Sequence, residues 1–143
     1  MNIEKAKEFV EKYTLNFRNP NLKKFEISPF YDLFPDENTN KEFLKWPNEY
    51  FHNGRFGVYL ILDDVFDVIY VGKANNIGKR LGSYFKYNKK DKTCLLSHES
   101  WKKKPKYIFS IAVESETWFE CLSLEEYLIW NIQPIENKRS KKF

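Results

Sequence analysis

Two short apolar runs, five residues apart, constrain this chain more than anything else in it. Residues 57–62 read GVYLIL and residues 68–71 read VIYV, with DDVFD between them and Gly72 closing the second run. β-Branched and aromatic residues dominate both runs, and such runs bounded by turn formers read as strands. Joined by a loop of about five residues, they predict a β-hairpin. Nearly every position in them is apolar, so the hairpin belongs to a sheet covered on both faces. With the turn centred near residue 65, Tyr59 and Tyr70 fall close to opposite one another on adjacent antiparallel strands.

The flanking pattern fills in the rest. A helix is expected from about residue 76 to 85, with Asn75 or Asn76 as its cap and Ile77, Leu81 and Phe85 repeating at four. Gly78 and Gly82 weaken that helix by roughly 1 kcal/mol each relative to Ala. A third strand is read over 106–113, and Thr117 then caps a long helix running to about Ile132 and stopped near Pro134. Upstream, Ile3, Ala6, Val10 and Tyr13 form one stripe of a helix over 3–13. Residues 20–55, punctuated by Pro20, Pro29, Pro35 and Pro47, read as irregular with short helical pieces at 30–34 and 40–46. The class is α/β of the α+β type, and 143 residues suit one core.

Charge separates the two halves. Residues 1–72 carry nine Lys/Arg against twelve Asp/Glu, whereas residues 73–143 carry fifteen against eight. The basic runs 86–92, 102–106 and 138–142 are suited to phosphates, although most such runs are simply solvated surface. Lys79, Lys86, Lys89, Lys90, Lys138 and Arg139 are the candidate DNA contacts. Cys94 and Cys121 form no disulfide framework, and His52 and His98 match no zinc spacing. The amino terminus lacks a signal-peptide core, and no run nears the ~18 apolar residues of a membrane span. A cytoplasmic setting is expected, with no membrane partner.

Several residues carry chemistry. Glu125 has Cys121 and Leu122 one turn before it and Leu128 and Ile129 one turn after, so it stands in an apolar stripe. A carboxylate there needs a partner. Either a structural salt bridge to Arg80 or a lysine, or a bound divalent cation, satisfies it. Tyr59 and Tyr70 are either a packed cross-strand pair or two phenols aimed at one cleft. Lys73 follows the second strand, and Arg80 and Tyr84 share a helix face. Cations, phenols and one carboxylate are suitable parts for phosphodiester hydrolysis. The stretch from Gly72 to Arg80 is no ATP-binding loop: five residues separate Gly72 from Gly78, and Arg80 stands where Ser or Thr would hold magnesium.

These residues resemble the GIY-YIG nuclease superfamily, and within it the UvrC amino-terminal incision-domain type. The first tripeptide stands as Gly57, Val58 and Tyr59 and the second as Tyr70, Val71 and Gly72; the segment 70–85, YVGKANNIGKRLGSYF, is similar almost throughout. The resemblance spans roughly residues 56–138 and falls on Lys73, Arg80, Tyr84, Glu125, Pro134 and Asn137. It implies a small three-stranded antiparallel sheet flanked by helices, with residues 1–55 an amino-terminal helical and irregular extension packing on a catalytic core at 56–143. Because the first half is acidic, the extension is expected to cover the sheet rather than read DNA. The resemblance further implies a DNA endonuclease using Mg²⁺ or Mn²⁺ at Glu125. Tyr59 would be general base or proton relay, with Tyr70 and Tyr84 positioning water and phosphate. Lys73 and Arg80 would stabilise the transition state, and Asn137 would orient the network. The match leaves out any second nuclease or partner-binding domain, so a stand-alone nuclease is expected. Two other readings stay open: a nucleic-acid-binding module of the same fold without turnover, and covalent chemistry with Tyr59 as nucleophile.

Overall fold

A computed structural model of the chain describes residues 3–98 and 100–138. The hairpin is its centre. Strands β4 (Phe56–Leu62) and β5 (Val68–Ala74) pair antiparallel, and β8 (Tyr107–Val113) pairs antiparallel on the other side of β4. All seven residues of β8 and six of seven in β4 are buried. These strands are almost wholly apolar because helices and loops cover both faces; the exception, Ser110 on β8, is hydrogen-bonded to Tyr50 and His52.

On one face, Val58, Leu60, Val71, Phe109 and Ile111 pack against helix α3 (Glu120–Ile132) and helix α1 (Ile3–Phe17), which contribute Leu124, Leu128, Ala6 and Val10. On the other, Tyr59, Ile61 and Ile108 pack against helix α2 (Ile77–Tyr84) through Ile77 and Leu81. Each fully buried aliphatic side chain contributes about 1.5–3 kcal/mol, so the two layers hold the sheet rigid between them. Asn76 caps α2 by accepting a hydrogen bond from the Lys79 amide.

The stretch ahead of β4 departs from the expected short helices. Residues expected to be helical around 30–34 and 40–46 are instead the strands β2 (Tyr31–Asp32) and β3 (Leu44–Lys45), while β1 is Glu26–Ile27. Both β1 and β2 add to the free edge of β8, and β3 pairs parallel with β2, so the three-stranded centre becomes part of a six-stranded sheet. The physical reason is the edge: β8 has backbone groups to satisfy and takes β1 and β2, and β2 in turn takes β3; at 30–34, Pro29 and Pro35 also leave too few residues for a helix. Buried ion pairs fasten this region. Arg18 grips Glu120 with Nε and Nη2 at 2.7 and 2.9 Å, and Lys106 Nζ holds Asp32 at 3.1 and 3.2 Å.

Two further differences follow from tertiary context. Thr117 is not the cap of α3: it ends a 3₁₀ turn at Ser115–Thr117, and α3 begins after Phe119 with no side-chain cap. The lysine-rich stretch 86–92 is not a plain connection but part of a second hairpin, β6 (Phe85–Asn88) with β7 (Thr93–Leu96). Phe85 and Cys94 are its buried side chains, too few to show against the charged background. Among the described residues no helix is long and apolar enough to cross a membrane.

Candidate active site

The hairpin register differs from simple opposition of the two tyrosines. A bulge in β5 between the Leu62–Val68 and Ile61–Tyr70 pairs shifts the ladder by one, so Tyr59 faces Gly72 and Tyr70 faces Ile61. Tyr59 and Tyr70 are therefore diagonal neighbours on one face, with ring centroids 6.0 Å apart. Tyr84, near the end of α2, closes a triangle at 6.3 Å from Tyr59 and 6.4 Å from Tyr70. Arg80, one turn earlier on α2, lies 5.0 Å over the Tyr84 ring and donates from Nε to the Tyr59 hydroxyl at 3.4 Å. The Tyr59 hydroxyl in turn donates to that of Tyr84, also at 3.4 Å.

Both glycines that open and close the two tripeptides are explained by contact. A Cβ on Gly72 would overlap the Tyr59 ring and hydroxyl, and one on Gly57 would overlap the Ile111 carbonyl and the Ile77 side chain. The tyrosine lies flat over its cross-strand partner only because that partner has no side chain.

Lys73 and Glu125 lie on the α3 side of β5. Their ion pair measures 3.3 Å, with Glu125 14% exposed and Lys73 41%. The expected salt bridge to Arg80 or a lysine is made by a lysine, Lys73; Arg80 contacts the tyrosines instead. β5 is the edge strand of the sheet. The phenols with Arg80 occupy one flank of it and the ion pair the other. The separation is small enough for Glu125 to raise the pKa of Tyr70 and for Arg80 to lower it. Lys73, Lys79 and Arg80 line one cleft of about 740 Å³ between α2 and the start of α3.

Protonation follows burial. Desolvation raises the pKa of Tyr59 well above its ordinary value; hydrogen bonding to Tyr84 adds to the rise, and Arg80 opposes it without winning. Desolvation chiefly pushes Tyr70 up to about 12. Glu125 is likewise raised, by burial first, with Lys73 pulling the other way. Both tyrosines are thus neutral phenols at neutral pH.

The Asn137 side chain bonds backbone. Its amide accepts from the Val71 N–H at 2.9 Å and donates to the Val71 carbonyl at 2.8 Å, acting as a one-residue strand on the open edge of β5 between Tyr70 and Gly72. Glu136 continues the seal: its N–H bonds the Ile69 carbonyl at 2.9 Å. Its carboxylate accepts from the Lys102 and Lys103 amides at 2.6 and 3.2 Å. That holds Trp101, absent from the sequence reading, edge-on to Tyr70 and Tyr84 at 6.3 and 5.9 Å. His98 also packs on Tyr84, at 5.7 Å. Neither residue has a sequence signal, because both arrive on the loop after β7.

Of the candidate phosphate contacts, Lys79, Lys86, Lys89, Lys90 and Lys138 are exposed. Only Lys79 lines the cleft; Lys86 lies on β6, and Lys89 and Lys90 occupy the turn of the second hairpin. Arg139 lies outside the described residues.

The chain belongs to the GIY-YIG family: the GIY-YIG catalytic domain matches residues 55–140. Within that nuclease family it is UvrC-like. It is 41% identical over 81 residues to UvrABC system protein C of Dictyoglomus thermophilum, a match covering 57% of this chain and 12% of that protein. Against the same-named protein of Histophilus somni the figures are 41% over 83 residues, 57% and 12%; against that of Treponema denticola they are 40% over 81, 57% and 11%. The chain thus matches only a small fraction of the length of these relatives.

Proposed function

We propose that this protein is a metal-dependent DNA endonuclease that cuts phosphodiester bonds by water attack beside β5. One observation carries the reading: three phenols and a guanidinium lie within contact of each other on one flank of an edge strand, with a Lys–Glu pair on the other.

The donor set fits a hard divalent cation. Among the described residues no group of three or more His, Cys, Asp and Glu side chains could cage an ion. Glu125 would therefore hold it alone, with water and phosphate oxygens completing the shell, as Mg²⁺ commonly accepts. A desolvated carboxylate with a raised pKa gains from such a partner. When bound, the ion supplies Lewis-acid stabilisation of a phosphate or leaving oxygen.

The remaining work falls to the chain's own groups. Arg80, exposed and already oriented by Tyr59 and Tyr84, offers charge-assisted hydrogen bonds to phosphate oxygens as negative charge grows. Lys73 adds a second cation at the shared cleft. The Tyr59 and Tyr84 hydroxyls, linked to one another, pass a proton away from the attacking water. Tyr70 orients the phosphate or water as a neutral donor. Buried Tyr59, 1% exposed, is a poor covalent nucleophile, which favours water. Lys79, Lys86, Lys89, Lys90 and Lys138 would contact the DNA backbone and make binding fall with salt.

Cleavage of supercoiled, branched and single-stranded DNA with and without Mg²⁺ tests the reading. Cutting that requires the ion supports it. Binding without cutting under every condition supports the alternative, a nucleic-acid-binding module of the same fold.

A further inference from the structure

The cleft that carries Arg80 has a second, chemically different wall. Lys73, Lys79 and Arg80 come from β5 and α2; opposite them, at the entry to α3, stand Trp118 and Leu122. Trp118 is 50% exposed and Leu122 46%, so an indole and an isobutyl group form an accessible apolar wall facing three cations. Among the described residues no carboxylate lines the cleft. Its volume of about 740 Å³ lies inside the ~300–1,000 Å³ range of small-ligand pockets. The main chain carrying Trp118 is held: its backbone N–H bonds the Ser115 carbonyl and its own carbonyl accepts from the Cys121 amide, while the ring meets Phe119 edge-on at 6.2 Å. An accessible aromatic face next to phosphate-binding cations is the combination that takes a nucleobase by stacking while its backbone is neutralised. Bases inside an intact duplex cannot present a face to it.

We infer that this cleft is a subsite for one unpaired nucleobase of the DNA strand being cut, stacked on Trp118 beside the scissile phosphate. The inference rests on the proposed nuclease reading, which puts that phosphate at Arg80 and Lys73. It makes the preferred substrate single-stranded or locally opened DNA.

The test is binding of a short single strand carrying 2-aminopurine, in EDTA so that no bond is cut. Trp118→Ala should weaken binding roughly five- to a hundred-fold and abolish the stacking quench of 2-aminopurine. Trp118→Phe should keep most of both. Trp130→Ala, removing a comparably exposed tryptophan further along on α3, should change neither. Affinity for a blunt duplex should fall far less in Trp118→Ala. Leu122→Glu, which puts a carboxylate into the wall, should show the same strand-selective loss and covers the case in which Trp118→Ala folds poorly. Unchanged quench and affinity in Trp118→Ala, or equal losses on single strand and duplex, overturn the subsite. A protein that never cuts DNA yet shows the Trp118-dependent quench would sink the nuclease reading and leave the subsite standing.

Discussion

Gly72 faces Tyr59 across the β4–β5 ladder, and the tyrosine ring occupies the space a side chain at Gly72 would fill. This one contact joins the two halves of the motif, since the last residue of the second tripeptide makes room for the last residue of the first.

Gly72→Ala should therefore destabilise the protein by about 1–3 kcal/mol through overpacking. Tyr59→Ala relieves the overlap, so the double variant should lose markedly less than the sum of the two single changes. A thermal-unfolding double-mutant cycle measures that coupling, and additive losses would contradict the contact.

Arg80→Ala should lower the cleavage rate by roughly a hundred- to a thousand-fold while changing DNA affinity much less, because its role is at the transition state. Its exposure means the fold should survive. Equal losses in rate and affinity, measured by single-turnover cleavage and equilibrium binding, would make it an ordinary phosphate contact.

Glu125→Gln should abolish cleavage and leave the metal-free protein as stable as before or slightly more so. Glu126→Gln, about 100° around the helix, should still cut. The folded-state pKa of Glu125 is raised, so relative to the unfolded chain its contribution is full below the unfolded glutamate pKa and is lost as pH rises through the folded value. Any advantage of the Gln variant should thus be largest near neutral pH and shrink on acidification. Loss of the half-exposed Lys73 pair offsets only about 0–1 kcal/mol. Thermal midpoints against pH check this; a variant that unfolds at neutral pH would make Glu125 a structural ion-pair partner.

Asn137→Ala leaves the Val71 N–H and carbonyl without their side-chain partner at the edge of β5, which should cost about 1–3 kcal/mol. The Val71 amide should exchange with solvent faster than in the parent. An unchanged exchange rate at that amide would show that the edge is held by something else.

Arg18→Ala strands Glu120 in a site where the two side chains are 4% and 7% exposed, and should cost about 3–5 kcal/mol. Replacing both by Met and Leu should recover much of that loss, as buried pairs do when exchanged for apolar groups. Urea unfolding of the single and double variants decides it, and no recovery would mean the pair is worth more than the packing that replaces it.

Much of the fold was legible from local pattern. The runs at 57–62 and 68–71, the strand near 106–113 and the helices around Ile77–Tyr84 and Glu120–Ile132 declare themselves because burial on both faces of a strand, or on one stripe of a helix, dictates side-chain type position by position. The tyrosines, Lys73, Arg80 and Glu125 could be placed on those elements from the same pattern, but only the resemblance to the GIY-YIG family joined them into one candidate site.

What the chain could not announce locally are relationships set by pairing between distant segments. The bulge that moves Tyr59 opposite Gly72 depends on how β5 meets β4, and the strands β1 to β3 exist only because β8 offers an edge to pair with. Whether Glu125 meets Lys73 or Arg80 depends on which face of the sheet each packs on: Lys73 leaves β5 toward α3, whereas Arg80 stands on α2, on the opposite face. Asn137 and Trp101 acquire their places the same way, from segments anchored by hydrogen bonds between Asn137 and Val71 and between Glu136 and the amides after Trp101, partners far apart in the chain. Composition and period report what a residue must be buried against, apolar or wet; they carry no record of which distant backbone group closes the contact, and here those contacts decide the shape of the site.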